Sequence, residues 1–206
     1  MARPKSIDRE RVLQCAEQVV QQSGATALTL DAVARQAGIT KGGLQYCFGN
    51  KDDLIAALVD RWIAAFDMQA AQYGGPDAAP MARVRAYVRV CSQIDDATRA
   101  RMAGMLVTLL QSPRHLHRIR QWYAGWFSPD ATSTTHEARR LRTMLFAAEG
   151  AFLLRTLGFI DMAQAQWDAV FADIQNMVSP AVASPAPATS VSYTHLRAHE
   201  TLSDRV

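Results

Sequence analysis

Between Thr29 and Phe48 the chain carries two helix starts and one helix stop. Thr29 and Thr40 are side chains of the kind that accept a hydrogen bond from a helix's first free amides. Gly38, between them, can turn left-handed without steric cost and so end the first helix. Leu30, Val33, Ala34 and Ala37 give that first segment a short apolar face, and Ile39, Leu44 and Phe48 give the second its own. Two short helices joined by a glycine-containing turn have the dimensions of a helix-turn-helix, the first bracing the second.

The same punctuation runs along the rest of the chain. Ser6 predicts an N-cap for a preceding helix, with Asp8 and Glu10 in its first turn, Val12, Leu13, Ala16, Val19 and Val20 as its stripe, and Gly24 as its stop. Asn50 with Asp53 resembles a capping box opening a long helix through Leu54, Ile55, Leu58, Trp62 and Phe66 to the break at Tyr73-Gly74-Gly75-Pro76. Further helical patterns cover 81–95, 98–111, 114–127, 135–157 and 162–178. With 49% hydrophobic and 20% charged residues and few β-branched runs, the expected fold is all-α. We expect a three-helix unit over 1–50 and a helical bundle over 51–178 that serves regulation and dimerisation. The Ser/Pro/Ala-rich 179–206 reads as a flexible tail, and Ser192–Thr201 within it resembles translated cloning or adapter sequence.

Charge narrows the function. The net charge of +3 lies wholly in residues 1–51, which hold seven Lys/Arg against four acids and contain every lysine of the protein. Basic charge gathered on a helix-turn-helix suits a polyanion, with the second helix entering a major groove. The run from Thr29 to Leu54, with Gly38, Thr40, Lys41, Gly42, Tyr46, Phe48 and Lys51 in phase, resembles the N-terminal signature of the tetracycline-repressor (TetR/AcrR) family of transcriptional regulators. The resemblance implies double-stranded operator DNA as a partner, a homodimer, and a small-molecule inducer that relieves repression. It implies that Tyr46 and Lys51 hold phosphates and that Lys41 and Gln45 reach base edges. Gln45 suits adenine, and Thr29, Thr40, Gly42 and Gly43 complete the expected DNA face, the two glycines by letting the backbone approach closely. Gln45 and Cys47 depart from the family, where Tyr and His or Tyr are common; Cys47 is a poor phosphate donor.

Beyond residue 51 the resemblance is architectural. Trp62, Phe66, Tyr87, Met102, Met105, Leu106, Leu109, Trp122 and Trp126 supply aromatic and thioether surface for an adaptable, apolar pocket, which points loosely to a lipophilic inducer; any one of them also suits plain core. Glu149 stands in an apolar stretch and needs a partner, either an arginine of the chain or a cationic or hydrogen-bonding ligand. Leu141, Leu145, Phe152, Trp167, Phe171 and Ile174 fit a four-helix dimer interface or the core of the single protomer. His115 and His117, two apart, make a poor metal pair and read as surface residues. No metal or cofactor is expected. The three cysteines have no metal-ligand spacing and leave an odd one over, as suits a reducing cytoplasm, with Cys15 and Cys91 in core. No apolar run approaches the ~18 residues of a membrane span. No nucleophile elbow, phosphate-cradling loop or paired carboxylates favour an enzyme. The rival reading is a dimeric adaptor descended from such regulators that no longer binds DNA.

Overall fold

The first helix is started by Asp8. In the computed structural model, which describes residues 7–74, 78–110, 112–127 and 133–177, α1 spans Arg9–Ser23, and the Asp8 carboxylate accepts from the amides of Glu10 and Arg11. The expected Ser6 cap and the tail at 179–206 lie outside the described residues. Asp8→Ala should therefore cost about 1 kcal/mol of stability, read from urea unfolding, because two orphan amides lose their acceptor; an unchanged midpoint would put the cap elsewhere.

The short front helices follow their caps. Thr29 Oγ1 accepts from Ala32 N at 3.1 Å to open α2 (Leu30–Ala37), Gly38 closes it at φ +67°, and Thr40 Oγ1 accepts from Gly43 N at 3.1 Å to open α3 (Lys41–Phe48). Asn50 Oδ1 accepts from Asp53 N at 2.9 Å and begins α4 (Lys51–Tyr73). The reciprocal half of the expected capping box is replaced: the Asp53 carboxylate takes Arg114 instead, at 2.8 Å. The remaining helices are α5 (Pro80–Gln93), α6 (Asp96–Leu110), α7 (Pro113–Phe127), α8 (His136–Thr156) and α9 (Gln164–Asn176). Among the described residues there is no strand.

Two large apolar cores and a small cluster of Ala70, Ala86 and Val90 hold these helices, and α4 contributes to all of them. The front core gathers Val12, Ala16 and Val20 of α1, Val33 and Ala34 of α2, Leu44 and Phe48 of α3, and Leu54, Ile55 and Leu58 of α4. Ala34, 4% exposed, lets α2 and α3 cross closely. Met105 and Leu109 of α6 enter the same core, so packing continues across the boundary expected at residue 50. The rear core is built from α5, α8 and α9 around Tyr87, Val88, Met144, Ala148 and Phe171, with Phe66 of α4 packed against it. Cys15 and Cys91 are buried, one in each core.

One expectation is revised by this packing. Leu141, Leu145, Phe152, Trp167, Phe171 and Ile174, read as dimer-facing, are only 2–7% exposed and lie inside the protomer's own rear core. The periodicity was that of core. The outward stripe of α8 instead carries Phe146 and Leu154, followed by Leu157, Phe159 and Ile160 at the turn to α9.

Candidate nucleic-acid interface and effector chamber

The recognition-type helix α3 is amphipathic in the sense its sequence requires. Leu44 and Phe48, one turn apart, are buried; Gly42 and Tyr46 are exposed on the other side, Gln45 is exposed at its flank, and Lys41 in the first turn and the caps Thr29 and Thr40 are exposed as well. Tyr46 is 92% exposed, a position no packing argument explains for so large an aromatic side chain. Lys51 is half-buried at the start of α4. Lys41 Nζ lies 2.9 Å from Asp31 Oδ2, an exposed pair worth little by itself, so DNA contact requires only a cheap exchange of partners.

The glycines divide in role. A Cβ at Gly42 would meet nothing within 4 Å, so the fold does not demand glycine there, whereas at Gly43 it would stand 2.8 Å from Ile7 Cδ1. At Gly43 the missing side chain therefore also serves the packing of the chain against α3. Arg9 positions α3 from behind, a role the sequence reading missed. Its guanidinium lies over the Phe48 ring at 4.2 Å and donates to the Cys47 carbonyl, tying α1 to the end of α3. Its signal was a cation in a first helical turn, where the helix dipole prefers an acid.

Behind this face, α7 lies along α4. Arg118 pairs with Asp60, Arg114 with Asp53, and His115 Nε2 lies 3.8 Å from Asp52 Oδ1. His115, expected at the surface, is 1% exposed, and neither ring nitrogen has a hydrogen-bond partner among the described residues. Burial holds its imidazole below the ordinary value of 6.5, against the opposing pull of Asp52 and with Arg114 and Arg118 adding to the depression. As pH falls through about 6.5 the unfolded chain therefore takes up a proton that the folded chain resists, and stability present above that pH is lost below it. His115→Leu should flatten the decline in urea midpoint between about pH 7.5 and 5.5; parallel curves for the two proteins would refute the assignment.

The sequence-predicted pocket residues split between the two cores. Trp62 packs on the front core and donates its Nε1 to Glu17 at 2.7 Å, and Met105 and Leu109 are also front-core residues. This placement separates them from the aromatic residues of the rear core, and Leu106 belongs to neither core. Phe66, Tyr87, Trp122 and Trp126 do come together, joined by Tyr123 and Phe127, with Met102 at the margin. Their ring centroids are 4.9–6.5 Å apart, mostly in tilted or edge-to-face geometry. Glu149 reaches into this cluster from α8. Its expected arginine is replaced by two tyrosines: Tyr87 Oη donates to Oε2 at 2.5 Å, and Tyr123 Oη donates to Oε1. Burial first, and the neighbouring carboxylate with it, raise both phenols well above the usual tyrosine range.

Together these features define a class: a helix-turn-helix presenting polar and basic side chains on one exposed face, joined by a shared helix to a bundle with an aromatic interior. A family model described as "Bacterial regulatory proteins, tetR family" matches residues 12–58, and one described as "Tetracyclin repressor-like, C-terminal domain" matches residues 81–179. The chain belongs to the TetR family of DNA-binding transcriptional regulators. Solved structures share its fold. They include a transcriptional regulator from Rhodococcus sp. Rha1 (19% identity, 83% of this chain and 94% of that one, TM-score 0.62) and a TetR regulator from Haloarcula marismortui (16%, 82% and 95%, 0.64). A third is the multidrug binding protein EbrR complexed with imidazole (21%, 84% and 96%, TM-score 0.60).

Proposed function

We propose that the protein is a ligand-responsive repressor that binds a near-palindromic operator as a homodimer. The observation that carries the DNA reading is the exposed face of α3, where Tyr46, Gln45 and Lys41 project while Leu44 and Phe48 fix the helix behind them. A dimer would place two such helices in successive major grooves, roughly 34–36 Å apart. The outward stripe of Phe146, Leu154, Leu157, Phe159 and Ile160 is apolar surface of the kind that a second copy covers, and it replaces the buried residues first assigned to that role. The inducer would enter the aromatic cluster and favour a conformer whose two recognition helices no longer match the grooves.

A mobility-shift titration on the intergenic DNA upstream of its own gene, at two salt concentrations with unrelated duplex as competitor, tests the reading. Expected is a saturable, sequence-selective shift that weakens steeply with salt, because phosphate contacts release counterions. Absence of a selective shift from folded dimer, on this DNA and on genomic fragments, would favour the adaptor reading.

A further inference from the structure

Resting on the proposed DNA-binding face, we infer that His115 couples that face to protons: DNA binding takes up a proton at its imidazole, which then pairs with Asp52 beside Lys51, and affinity rises as pH falls. His115 of α7 is 1% exposed, and neither ring nitrogen has a hydrogen-bond partner among the described residues. A neutral imidazole buried in this way leaves a donor and an acceptor unmet, each at the full cost of its desolvation. Packing alone therefore favours an apolar residue at this position. The acid placed to meet the ring is Asp52 of α4, whose Oδ1 lies 3.8 Å from Nε2, about 1 Å beyond a charge-assisted hydrogen bond. The Asp52 side chain is 65% exposed and pairs with no lysine or arginine among the described residues, whereas Asp53 and Asp60 on the same helix already hold Arg114 and Arg118. So exposed a side chain is free to turn toward an imidazolium.

The charges that face the imidazole come from two helices. Asp52 from α4 favours its protonation, Arg114 and Arg118 on α7 itself oppose it, and α6, which also packs on α7, carries no titratable side chain from Met102 to Leu110. Burial, the largest influence, opposes the charged form as well, so the free protein holds His115 neutral at about pH 7.5 and leaves Asp52 uncompensated. DNA changes that balance. Asp52 follows Lys51 in the first turn of α4, so phosphates held at Lys51 face an unpaired carboxylate. Adjacent residues lie well within a Debye length of about 8–10 Å, and the phosphates therefore favour an imidazolium and disfavour a bare carboxylate. The coupling is reciprocal: DNA that favours the proton is favoured by it through the same factor. Falling pH thus tightens binding while, through the same residue, it weakens the fold. The opposite signs separate this response from acid unfolding.

The experiment measures binding of the full-length protein to a labelled duplex from the DNA upstream of its own gene and to a scrambled duplex, by anisotropy at fixed salt. The pH runs from about 7.5 to about 5.5, with circular dichroism confirming folded protein at each point. Wild-type affinity is expected to rise about fivefold more over this range than that of His115→Gln, which is neutral at every pH and keeps the other four histidines as its own control. Asp52→Asn, an exposed change, serves should His115→Gln fail to fold: it should bind two- to threefold tighter at about pH 7.5 and lose the same part of the acid gain. Calorimetry of binding at about pH 6, in buffers of different ionisation enthalpy, counts the proton directly, and uptake by the wild type should fall in both variants. Equal pH slopes in the wild type and folded His115→Gln, or wild-type affinity that falls with pH, overturn the inference and leave the DNA reading standing. An unchanged slope in Asp52→Asn overturns the pairing with that acid. Failure of the folded protein to bind either duplex at any pH overturns the DNA reading and the inference together.

Discussion

Replacing Tyr46 and Lys51 together by Ala is expected to weaken binding to any duplex by roughly 100-fold, at operator and random sequence alike, because the pair is assigned to phosphates and phosphates carry no sequence. The structure supplies the motive: Tyr46 is 92% exposed on α3, and Lys51 begins the next helix, so neither change should touch the buried Leu44 and Phe48. Loss of Lys51 alone should also lower the slope of log affinity against log salt by about 0.9, the signature of one released counterion. Gln45→Ala should behave differently, altering preference at one or two base pairs with little effect on random DNA. Fluorescence anisotropy with an operator duplex and a scrambled one, over a salt series, separates these outcomes. Wild-type affinity in the double variant would remove both residues from the interface.

Phe48→Ala is expected to cost about 3–5 kcal/mol, the usual loss for a buried phenylalanine. The ring is 3% exposed in the front core, and it also carries Arg9 at 4.2 Å. Its removal leaves a cavity under the end of α3 and frees the cation that ties α1 to it. Since a domain of this kind has only about 5–15 kcal/mol in total, operator binding should disappear at temperatures where the wild type still binds. Urea unfolding followed by circular dichroism measures the loss; less than about 1 kcal/mol would mean that the site collapses freely and that Phe48 is no anchor.

What the sequence made legible was local. Thr29, Thr40 and Asn50 cap helices within three residues of themselves, so their roles need no knowledge of the rest of the chain. The exposed and buried sides of α3 followed for the same reason. Assignments that depend on what lies opposite a helix were not legible. An apolar stripe states that something covers it and not what, and so Trp167 and Phe171 proved to be protomer core while Met105 and Leu109 joined the front core. His115 was misread because two arginines flank its helix, although its own side chain turns inward against α4. Glu149 announced its need for a partner, but the two phenols that satisfy it come from positions 26 and 62 residues away.

The helix α4, common to both cores, has a mechanical consequence. Its 23 residues make a rod about 34 Å long, stiffened along its length by α7. Its first turns are locked into the front core by Leu54, Ile55 and Leu58, and its far half meets the aromatic cluster at Phe66. A tilt of about 5° about the far end carries the near end through about 3 Å, close to the rise of one base pair. In a two-fold dimer the two displacements add. On the proposed reading, a ligand that pushed Phe66 aside by less than the width of a methyl group would thereby be geared into a mismatch between the two recognition helices and their grooves.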